Sequence, residues 1–415
     1  ISPCCGSDGF LLGFSGMGRS YVGFGFGAIQ TGLFLPVAQK SGSFNRLVVA
    51  EIDPALVQGV RDNKGSYSCN IAHSDRVEFI TLEGVEMLNP TDADDRESLV
   101  QAIAEADELG TALPSFHLYD EKPAPVARLL AEGLTRKTKR PTLPPAVVYA
   151  AENDSRAATR LEALCWDHAP AGFGEKVVFS ETVIPKMCTV VEDPARIENE
   201  GLVPLFPGAS RAILVEAFDQ IMVESQAPAG FERGMSSFVE KRQLDPFAQT
   251  KFLGHNAVHA WLGYLAESEG LILMSEVGKR DDLMRRALDV FEKEVGPGLI
   301  HAHARTDDAL FTNDGMLAYA RDALHRMVNP FLNDPIERVT RDPVRKLGWE
   351  DRLIGSMRLA IEAGVSPDRL AEGAQLALDR AVVESQSSPK KVLAEIWPKH
   401  LDESERQAIL ALLLP

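Results

Sequence analysis

The sequence of 415 residues has no long hydrophobic run. No apolar stretch approaches the roughly 20 residues that a membrane-spanning helix needs. The N-terminus has neither the basic start nor the apolar stretch of a signal peptide. Internal repeats and low-complexity tracts are also absent. We therefore expect a cytoplasmic protein that has no membrane partner.

Basic residues are outnumbered by acidic ones. The sequence has 43 Lys and Arg residues against 60 Asp and Glu residues, which gives a formal net charge of -17. Because binding to phosphates along a nucleic acid requires a basic face, this balance argues against a nucleic-acid partner. An anionic small-molecule substrate would need a local cluster of basic side chains.

Cysteine is scarce as well, with only five residues: Cys4, Cys5, Cys69, Cys165 and Cys188. Their spacing matches neither a paired metal site nor the framework of a disulfide-rich domain. We expect these cysteines to be reduced thiols.

The composition is that of an ordinary globular protein, with 45% hydrophobic and 25% charged residues. The length exceeds what one hydrophobic core usually serves, and this predicts two domains. We interpret residues 1–19 as an N-terminal extension, residues 20–243 as a Rossmann-type α/β domain with a parallel sheet, and residues 244–415 as a mostly α-helical domain. The fold class is thus α/β followed by a helical C-terminal domain.

Strand and helix patterns alternate in the first half, as is typical of a parallel sheet. A strand at 21–24, a glycine-rich turn, a helix at 28–37 and a strand at 46–52 form the first unit, and Asp53-Pro54 begins the next helix. Further strands are predicted at 77–81, 146–150, 176–180 and 213–223, and a helix at 125–134. Long amphipathic helices are predicted in the second half at 245–270, 283–295, 314–328 and 351–363.

The glycine-rich turn reads Gly25-Phe26-Gly27-Ala28-Ile29-Gln30. Glycines at the first two motif positions permit a tight turn and a close approach to a pyrophosphate, and the following helix offers its N-terminus to that anion. Gln30 replaces the usual third glycine. Glu51 ends the next predicted strand, where a carboxylate accepts hydrogen bonds from a ribose. Since its charge would repel a 2′-phosphate, we predict that Gly25, Gly27, Ala28, Ile29, Gln30 and Glu51 bind NAD rather than NADP.

A predicted helix near residue 250 carries a polar face. At about 100° per residue, Lys251, His255, Asn256 and His259 fall within an arc of roughly 140°. A lysine that is desolvated near a helix N-terminus loses its proton more readily and can act as a base. A solvated polar face is the alternative. A second alternative is a metal site formed by His255 and His259, but a zincin helix requires Glu where this sequence has Asn256.

Two further groups of polar residues are candidates for a site. Asn153 follows the predicted strand 146–150, at the edge of the sheet where α/β proteins bind ligands. The segment 338–346 holds four basic residues and one acidic residue, and guanidinium groups suit phosphate or carboxylate. Arg341 and Lys346 are therefore candidate substrate ligands. Alternatively, this basic segment pairs with acidic side chains such as Asp342, Glu350 and Asp351.

Together these residues resemble the polyol-specific long-chain dehydrogenases, the mannitol dehydrogenase family, over about residues 20–398. The most specific element is Lys251 with Asn256 and His259, which matches the family's Lys-x4-Asn-x2-His helix. Asn329-Pro330 and the run 341–347 are further matches. The length favours the mannitol-1-phosphate 5-dehydrogenase branch.

The resemblance implies a Rossmann-type domain, a helical domain that encloses the substrate, and oxidation of a polyol or polyol phosphate without zinc. By this likeness Lys251 is the general base, Asn153 and Asn256 hold the alkoxide oxygen, and His259 contacts the substrate. It implies a monomer or a small homo-oligomer and favours mannitol 1-phosphate and fructose 6-phosphate as the substrate pair.

The sequence departs from the family at Pro185-Lys186, where many members carry Asp-Arg. This change removes a carboxylate near the expected cleft. A dehydrogenase of a free polyol or a hexuronate is the alternative, and a non-catalytic NAD-binding module is an alternative of a different class.

Overall fold

The computed structural model describes residues 18–169 and 172–414. Nearly all of the predicted N-terminal extension, together with Cys4 and Cys5, lies outside the described residues. Within those ranges, no helix is both long enough and apolar enough to cross a bilayer.

The larger of two sheets has eight strands in the order β12-β11-β8-β7-β6-β1-β2-β5. Its neighbours pair in parallel except for β8 and β11, which are antiparallel. Read from β5 to β8, six strands follow the order of a doubly wound dinucleotide-binding fold. The strands are β1 (Arg19–Phe24), β2 (Phe44–Ala50), β5 (Val85–Leu88), β6 (Glu108–Thr111), β7 (Ala146–Ala150), β8 (Val177–Val183), β11 (Ile221–Glu224) and β12 (Phe238–Lys241).

The smaller sheet has four strands in the order β4-β3-β10-β9. Strands β3 and β4 form an antiparallel pair, β10 joins β3 in parallel, and β9 joins β10 in the antiparallel direction. The strands are β3 (Tyr67–Ala72), β4 (Val77–Leu82), β9 (Cys188–Val191) and β10 (Ala212–Glu216).

Helices connect the strands of the first half and dominate the second half. The first half contains α1 (Leu35–Ser41), α2 (Pro54–Asp62), α3 (Ala93–Glu105), α4 (Val126–Thr138), α5 (Ala157–His168) and α6 (Pro194–Asn199). The second contains α7 (Asp245–Gln249), α8 (Asn256–Ser268), α9 (Met274–Val277), α10 (Asp281–Val290), α11 (Gly296–Ala302), α12 (Asn313–Met327), α13 (Ile336–Thr340), α14 (Pro343–Lys346), α15 (Arg352–Glu362), α16 (Asp368–Ser385), α17 (Pro389–Ile396) and α18 (Glu403–Leu413). Single π-helical turns occur at Gln30–Phe34, Thr250–His255 and Phe291–Val295, and short 3₁₀ turns at Phe116–Asp120, Gly174–Lys176 and Ala309–Phe311.

The central strands of the larger sheet are buried on both faces. On β7, Val148 packs into one apolar core with α3, α4 and α5, whereas Val147 and Tyr149 pack into a second core with α1 and the smaller sheet. Parallel strands covered on both faces are expected to be continuously apolar, and all five residues of β7 are buried. A third, larger core is formed by buried side chains between Phe247 and Leu413.

The predicted fold class is confirmed, since a parallel-dominated sheet is followed by a helical region. The predicted strand at 213–223 is wrong, because β10 and β11 are separate strands in different sheets. Residues 217–220 between them include Asp219 and Gln220 and leave the strand conformation. Strands β3, β5, β6, β9 and β12 were not predicted; all of these except β3 have only four residues each, too few for a clear alternating pattern.

A buried ion pair joins the smaller sheet to the helical half. Arg326, on α12, places Nε 2.5 Å from Oε1 of Glu216 and Nη2 2.9 Å from Oε2 of the same carboxylate. The side chains of Arg326 and Glu216 are only 9% and 5% exposed. The guanidinium also lies 3.9 Å from the centre of the Phe218 ring. Because both charges are buried in an apolar environment, removal of one leaves the other without a partner and destabilises the fold.

We predict that Arg326→Ala lowers the free energy of unfolding by about 3–5 kcal/mol, because Glu216 is left as a buried, unpaired charge. Chemical denaturation measures this change. Arg321→Ala is the matched control, since Arg321 is exposed on the same helix, and we expect it to change stability by less than about 0.5 kcal/mol. Equal effects of the two variants would show that the ion pair does not stabilise the fold.

Candidate active site

Five parallel strands of the larger sheet end at one edge. Strands β1, β2, β6, β7 and β8 all run in the same direction, so the residues that follow them meet there. In open α/β sheets, ligands bind in the crevice beyond the carboxyl ends of the strands, where the strand order reverses. In this sheet the order reverses around β1, whose neighbours are β2 and β6.

A cleft of about 710 Å³ lies at this edge, and we call it the strand-end cleft. Its lining includes five residues of the predicted nucleotide site: Gly25, Gly27, Ala28, Ile29 and Glu51. The volume falls within the range of about 300–1,000 Å³ that is usual for ligand sites.

Glycine is favoured at the two motif positions, 25 and 27, for different structural reasons. Gly25 has a φ of 84°, in the left-handed region that glycine adopts without strain, and a Cβ there would lie 3.0 Å from the carbonyl oxygen of Ala112. A Cβ at Gly27 would meet no atom within 4 Å. The backbone at Gly27 is therefore open towards the cleft, as close approach of a pyrophosphate requires.

The carboxylate of Glu51 is held by backbone donors. Its Oε2 accepts from the Phe26 N–H at 2.8 Å, and its Oε1 accepts from the N–H groups of Ile52 and Asp53 at 2.7 and 2.9 Å. A carboxylate has about four lone-pair sites, so acceptor capacity remains for a ligand hydroxyl. The hydrogen bonds fix Glu51 at the end of β2 without neutralising its charge.

Gln30 does not line the strand-end cleft. Its side chain is buried, and its Nε2 donates to the Tyr21 hydroxyl at 3.0 Å. A Cβ at Gly23 would lie 2.2 Å from this Nε2, so glycine at position 23 makes room for the amide. The third glycine of the motif is thus replaced by a core residue, and the structure does not bring Gln30 to the predicted nucleotide site.

A second cavity, of about 730 Å³, adjoins the strand-end cleft, and we call it the lysine cavity. The two share Ile29, Ala151 and Lys186 in their linings. Asn153, Lys251 and Asn256 also line the lysine cavity. The structure therefore brings three of the four predicted catalytic residues to one cavity beside the predicted nucleotide site.

Lys251 lies in a π-helical turn, Thr250–His255, between α7 and α8. The Asn256 N–H donates to the Lys251 carbonyl oxygen, which is the bond that defines the wider turn. The Ser356 hydroxyl donates to the Leu253 carbonyl oxygen at 2.6 Å, and this bond supports the altered backbone. Such π turns within α-helices are frequent at functional sites.

Burial lowers the pKa of the Lys251 amine to about 8, against an ordinary value of 10.5. Nearby Cys188 opposes this shift, and the positive charge of Arg352 adds to it. The Arg352 guanidinium lies 5.1 Å from the centre of the Phe252 ring, beside the cavity. Among the described residues, Lys251 makes no ion pair with a carboxylate, so a substantial fraction of this amine is neutral near pH 8.

His259 faces away from the lysine cavity towards a buried carboxylate. Its Nε2 lies 3.4 Å from Oδ2 of Asp334, which also accepts from Arg338 at 2.5 and 2.6 Å. Burial alone would raise the pKa of Asp334, but its interactions with His259 and Arg338 lower it to about 2. His259 thus lies beside the Asp334–Arg338 pair and does not line the lysine cavity.

His255 lies beside His259, with ring centres 6.0 Å apart. Burial lowers the pKa of His255 well below its ordinary value, and the neighbouring His259 and Arg326 add to the effect. In the described ranges, no three His, Cys, Asp or Glu side chains are grouped closely enough to hold a metal ion.

Arg341 and Lys346 line neither cavity. Arg341 is exposed, whereas Lys346 is buried and its amine donates to the Arg341 carbonyl oxygen. Burial lowers the pKa of Lys346 to about 8. The other two cations of the basic segment pair with acidic side chains, Arg338 with Asp334 and Arg345 with Asp351 at 3.6 Å. The structure thus does not bring the predicted phosphate ligands to the lysine cavity.

Lys186 was missed as a candidate site residue, although its departure from the family pattern was noted. It follows the end of β8 by three residues and lines both the strand-end cleft and the lysine cavity. The signal that could have found it is the one that identified Asn153, a polar residue just after a parallel strand.

Comparisons with known protein sequences give matches to mannitol dehydrogenases and related enzymes. Residues 243–410 match the family model of the mannitol dehydrogenase C-terminal domain. A mannitol-1-phosphate 5-dehydrogenase of Bacillus licheniformis is 27% identical over 361 residues, which cover 86% of each chain. The corresponding enzyme of Lactococcus lactis subsp. lactis is 26% identical over 348 residues, or 82% of each chain.

Solved structures share the fold at low sequence identity. Substrate-free D-sorbitol dehydrogenase aligns with a TM-score of 0.71 at 14% identity, over 87% of this chain and 80% of that chain. Mannitol 2-dehydrogenase of Pseudomonas fluorescens aligns with a TM-score of 0.65 at 14% identity, over 95% of this chain and 86% of that chain. The predicted resemblance is confirmed: residues 243–410 match the C-terminal domain of the mannitol dehydrogenase family, and the chain is similar to mannitol-1-phosphate 5-dehydrogenases over more than four fifths of its length.

Proposed function

We propose that the chain is an NAD-dependent dehydrogenase that interconverts a polyol phosphate and a ketose phosphate, with mannitol 1-phosphate and fructose 6-phosphate as the preferred pair. The observation that carries the proposal is the position of Lys251. This lysine has a lowered pKa and lines the same cavity as Asn153 and Asn256, next to the strand-end cleft. The similarity to mannitol-1-phosphate 5-dehydrogenases supports the substrate class. In this proposal residues 20–243 form the cofactor domain, and residues 244–415 form the substrate domain.

The strand-end cleft fits NAD. The open backbone at Gly27 and the helix start at Ala28 and Ile29 suit the pyrophosphate, and Glu51 suits the adenine ribose. The structurally similar mannitol 2-dehydrogenase was solved as a ternary complex with NAD and D-mannitol, which supports this choice. When bound, NAD supplies the hydride acceptor.

The chain's own residues perform the proton transfer and the charge stabilisation. Lys251 takes the proton of the substrate hydroxyl through its neutral amine. The side-chain amides of Asn153 and Asn256 donate hydrogen bonds to the oxygen as negative charge develops there. His259, which pairs with Asp334 and does not line the lysine cavity, has no part in these steps. This arrangement requires no metal ion.

We predict that Lys251→Ala lowers kcat for polyol phosphate oxidation by about 10²–10⁴-fold and leaves the Kd for NAD nearly unchanged, because the base acts on the substrate. In the wild type, oxidation requires the neutral amine, so kcat/KM rises about tenfold per pH unit up to the pKa of about 8 and is level above it. Kinetics over pH 6–10 with both proteins measure this. A Lys251→Ala variant with a near wild-type rate would remove Lys251 from the mechanism.

We predict that Glu51→Ser reduces the preference for NAD over NADP, since the charge that repels a 2′-phosphate is gone. Specificity constants for both cofactors provide the test, and Glu83→Ser is the control because Glu83 is exposed and lines no part of the cleft. Glu51→Gln keeps an acceptor oxygen for the Phe26 N–H and separates loss of charge from loss of the turn. An unchanged cofactor ratio in both Glu51 variants would contradict the assignment.

Oxidation of a free polyol, as in a sorbitol or mannitol 2-dehydrogenase, is the second candidate function. This candidate is favoured because Arg341 and Lys346, the phosphate ligands predicted from the sequence, lie outside the lysine cavity.

We predict that wild type prefers mannitol 1-phosphate to mannitol by at least tenfold in kcat/KM, because one charge-assisted hydrogen bond to phosphate is worth about 1.5–3 kcal/mol. Arg341→Ala should leave both values nearly unchanged, because Arg341 is exposed and lines neither cavity. A wild type that prefers mannitol would establish the second function instead.

A further inference from the structure

Lys186 lies where three cavities meet. Besides the strand-end cleft and the lysine cavity, it lines a smaller cavity of about 220 Å³, the side cavity. The loop that carries Lys186 runs from the end of β8 to the start of β9. The amine is therefore placed beside both the predicted base, Lys251, and the predicted nucleotide site.

Lys186 has no charged partner of its own. In the described part of the chain it takes part in no ion pair and in no side-chain hydrogen bond. Burial lowers its pKa, and Cys188, Cys69, Asp219 and Glu216 oppose that shift through longer-range charge interactions. An unpaired, half-buried amine is costly unless a ligand neutralises it, and a bound anion restores the charged form.

The backbone on both sides of Lys186 is fixed. The Pro185 carbonyl oxygen accepts a hydrogen bond from Nη2 of Arg326. The Met187 N–H donates to Oε2 of Glu216 at 3.2 Å, and the Glu216 N–H donates to the Met187 carbonyl oxygen at 2.9 Å. The buried Arg326–Glu216 pair thus holds the loop and presents Lys186 at one position, as a preorganised binding residue requires.

The side cavity is predominantly cationic around Lys186. Arg196 and Arg338 line it, and Asp334 is its single lining carboxylate among the described residues. The charge of Asp334 is taken up by its two hydrogen bonds from Arg338. Arg196 pairs with Glu200 at 2.7 Å and donates to the Leu332 carbonyl oxygen at 3.0 Å. Lys186 is the cation in this cavity that lacks a partner.

We propose that Lys186 binds the phosphate group of the substrate and so determines the choice of a phosphorylated polyol over a neutral one. The inference rests on the proposed function, because it assigns the substrate's anionic end. With the reacting hydroxyl at Lys251, Asn153 and Asn256, the phosphate reaches the junction of the lysine cavity and the side cavity, where Lys186 donates to it. The pyrophosphate of the cofactor is the other source of the same anionic group, because Lys186 and the Gly25 turn both line the strand-end cleft.

The first test compares Lys186→Gln with the wild type in kcat/KM. We expect a loss of about 10- to 100-fold with mannitol 1-phosphate, which corresponds to one charge-assisted hydrogen bond. The value for mannitol and the KM for NAD should stay within about twofold of the wild type. Lys186→Arg should restore most of the loss, since a cation is kept. Lys390→Gln is the control, because Lys390 is exposed on α17 and lines none of the three cavities.

Three kinetic outcomes would overturn the assignment. Equal losses with both substrates would show that Lys186 has a structural role. Unchanged kinetics would show that Lys186 has no role in binding the substrate. A selective rise in the KM for NAD would assign its partner to the pyrophosphate of the cofactor. Lys186→Met is a second neutral variant, and it is used if Lys186→Gln has a lowered melting temperature.

A binding test separates this inference from the proposed function. The melting temperature is measured with fructose 6-phosphate, with inorganic phosphate and with fructose. Both phosphate compounds should stabilise the wild type and Lys390→Gln but not Lys186→Gln. A wild type that oxidises neither mannitol nor its phosphate would refute the proposed function, while loss of phosphate stabilisation in Lys186→Gln would still support the anion site. Equal stabilisation of wild type and Lys186→Gln would refute the site.

Discussion

The site depends on one topological constraint, the common direction of five neighbouring parallel strands. Because β1, β2, β6, β7 and β8 end at one edge, the turns that follow them are brought together although they are far apart in sequence. Gly25, Glu51, Asn153 and Lys186 each follow a different strand of this set. The sheet sets where each of these connecting segments begins, and a rigid scaffold of this kind positions functional residues on its loops.

The second requirement is that amines remain in a partly desolvated cavity of an acidic protein. A net charge of -17 offers many carboxylates, yet Lys251 and Lys186 pair with none in the described ranges. Of the three acidic side chains that line the lysine cavity, Glu152 and Asp154 are already engaged, whereas the third, Asp245, makes no ion pair in the described ranges. Glu152 accepts hydrogen bonds from Tyr119, Thr111 and the Leu113 N–H, and Asp154 pairs with Arg160. Lys251 is left without a carboxylate partner in the described ranges, and burial then favours proton loss from its amine.

Much of this architecture is readable from the sequence. The exact bounds of β7, the Asp53 cap of α2 and four helical stretches of the second half follow from local patterns, since apolar periodicity and capping act within a few residues. The longest helix of that half, α16, was not predicted. The division of residues 212–224 between two sheets cannot be read from local patterns, because only tertiary pairing separates β10 from β11. Likewise, the basic segment 338–346 is visible in sequence, but its pairing with Asp334 and Asp351 depends on how α13, α14 and α15 pack. The presentation of Lys186 requires Arg326 and Glu216, which are 110 residues apart in the chain.

Burial lowers the pKa of Lys251 to about 8, so the fold supplies an amine that is partly neutral near physiological pH. NMR titration of the lysine ε-methylene carbons, with Lys251→Arg used to assign the resonance, measures this ionisation directly in the free protein. We expect a titration midpoint near pH 8 for the Lys251 amine, against about 10.5 for an ordinary lysine. A midpoint above pH 10 would contradict it, because Lys251 would then remain charged and could not serve as the base.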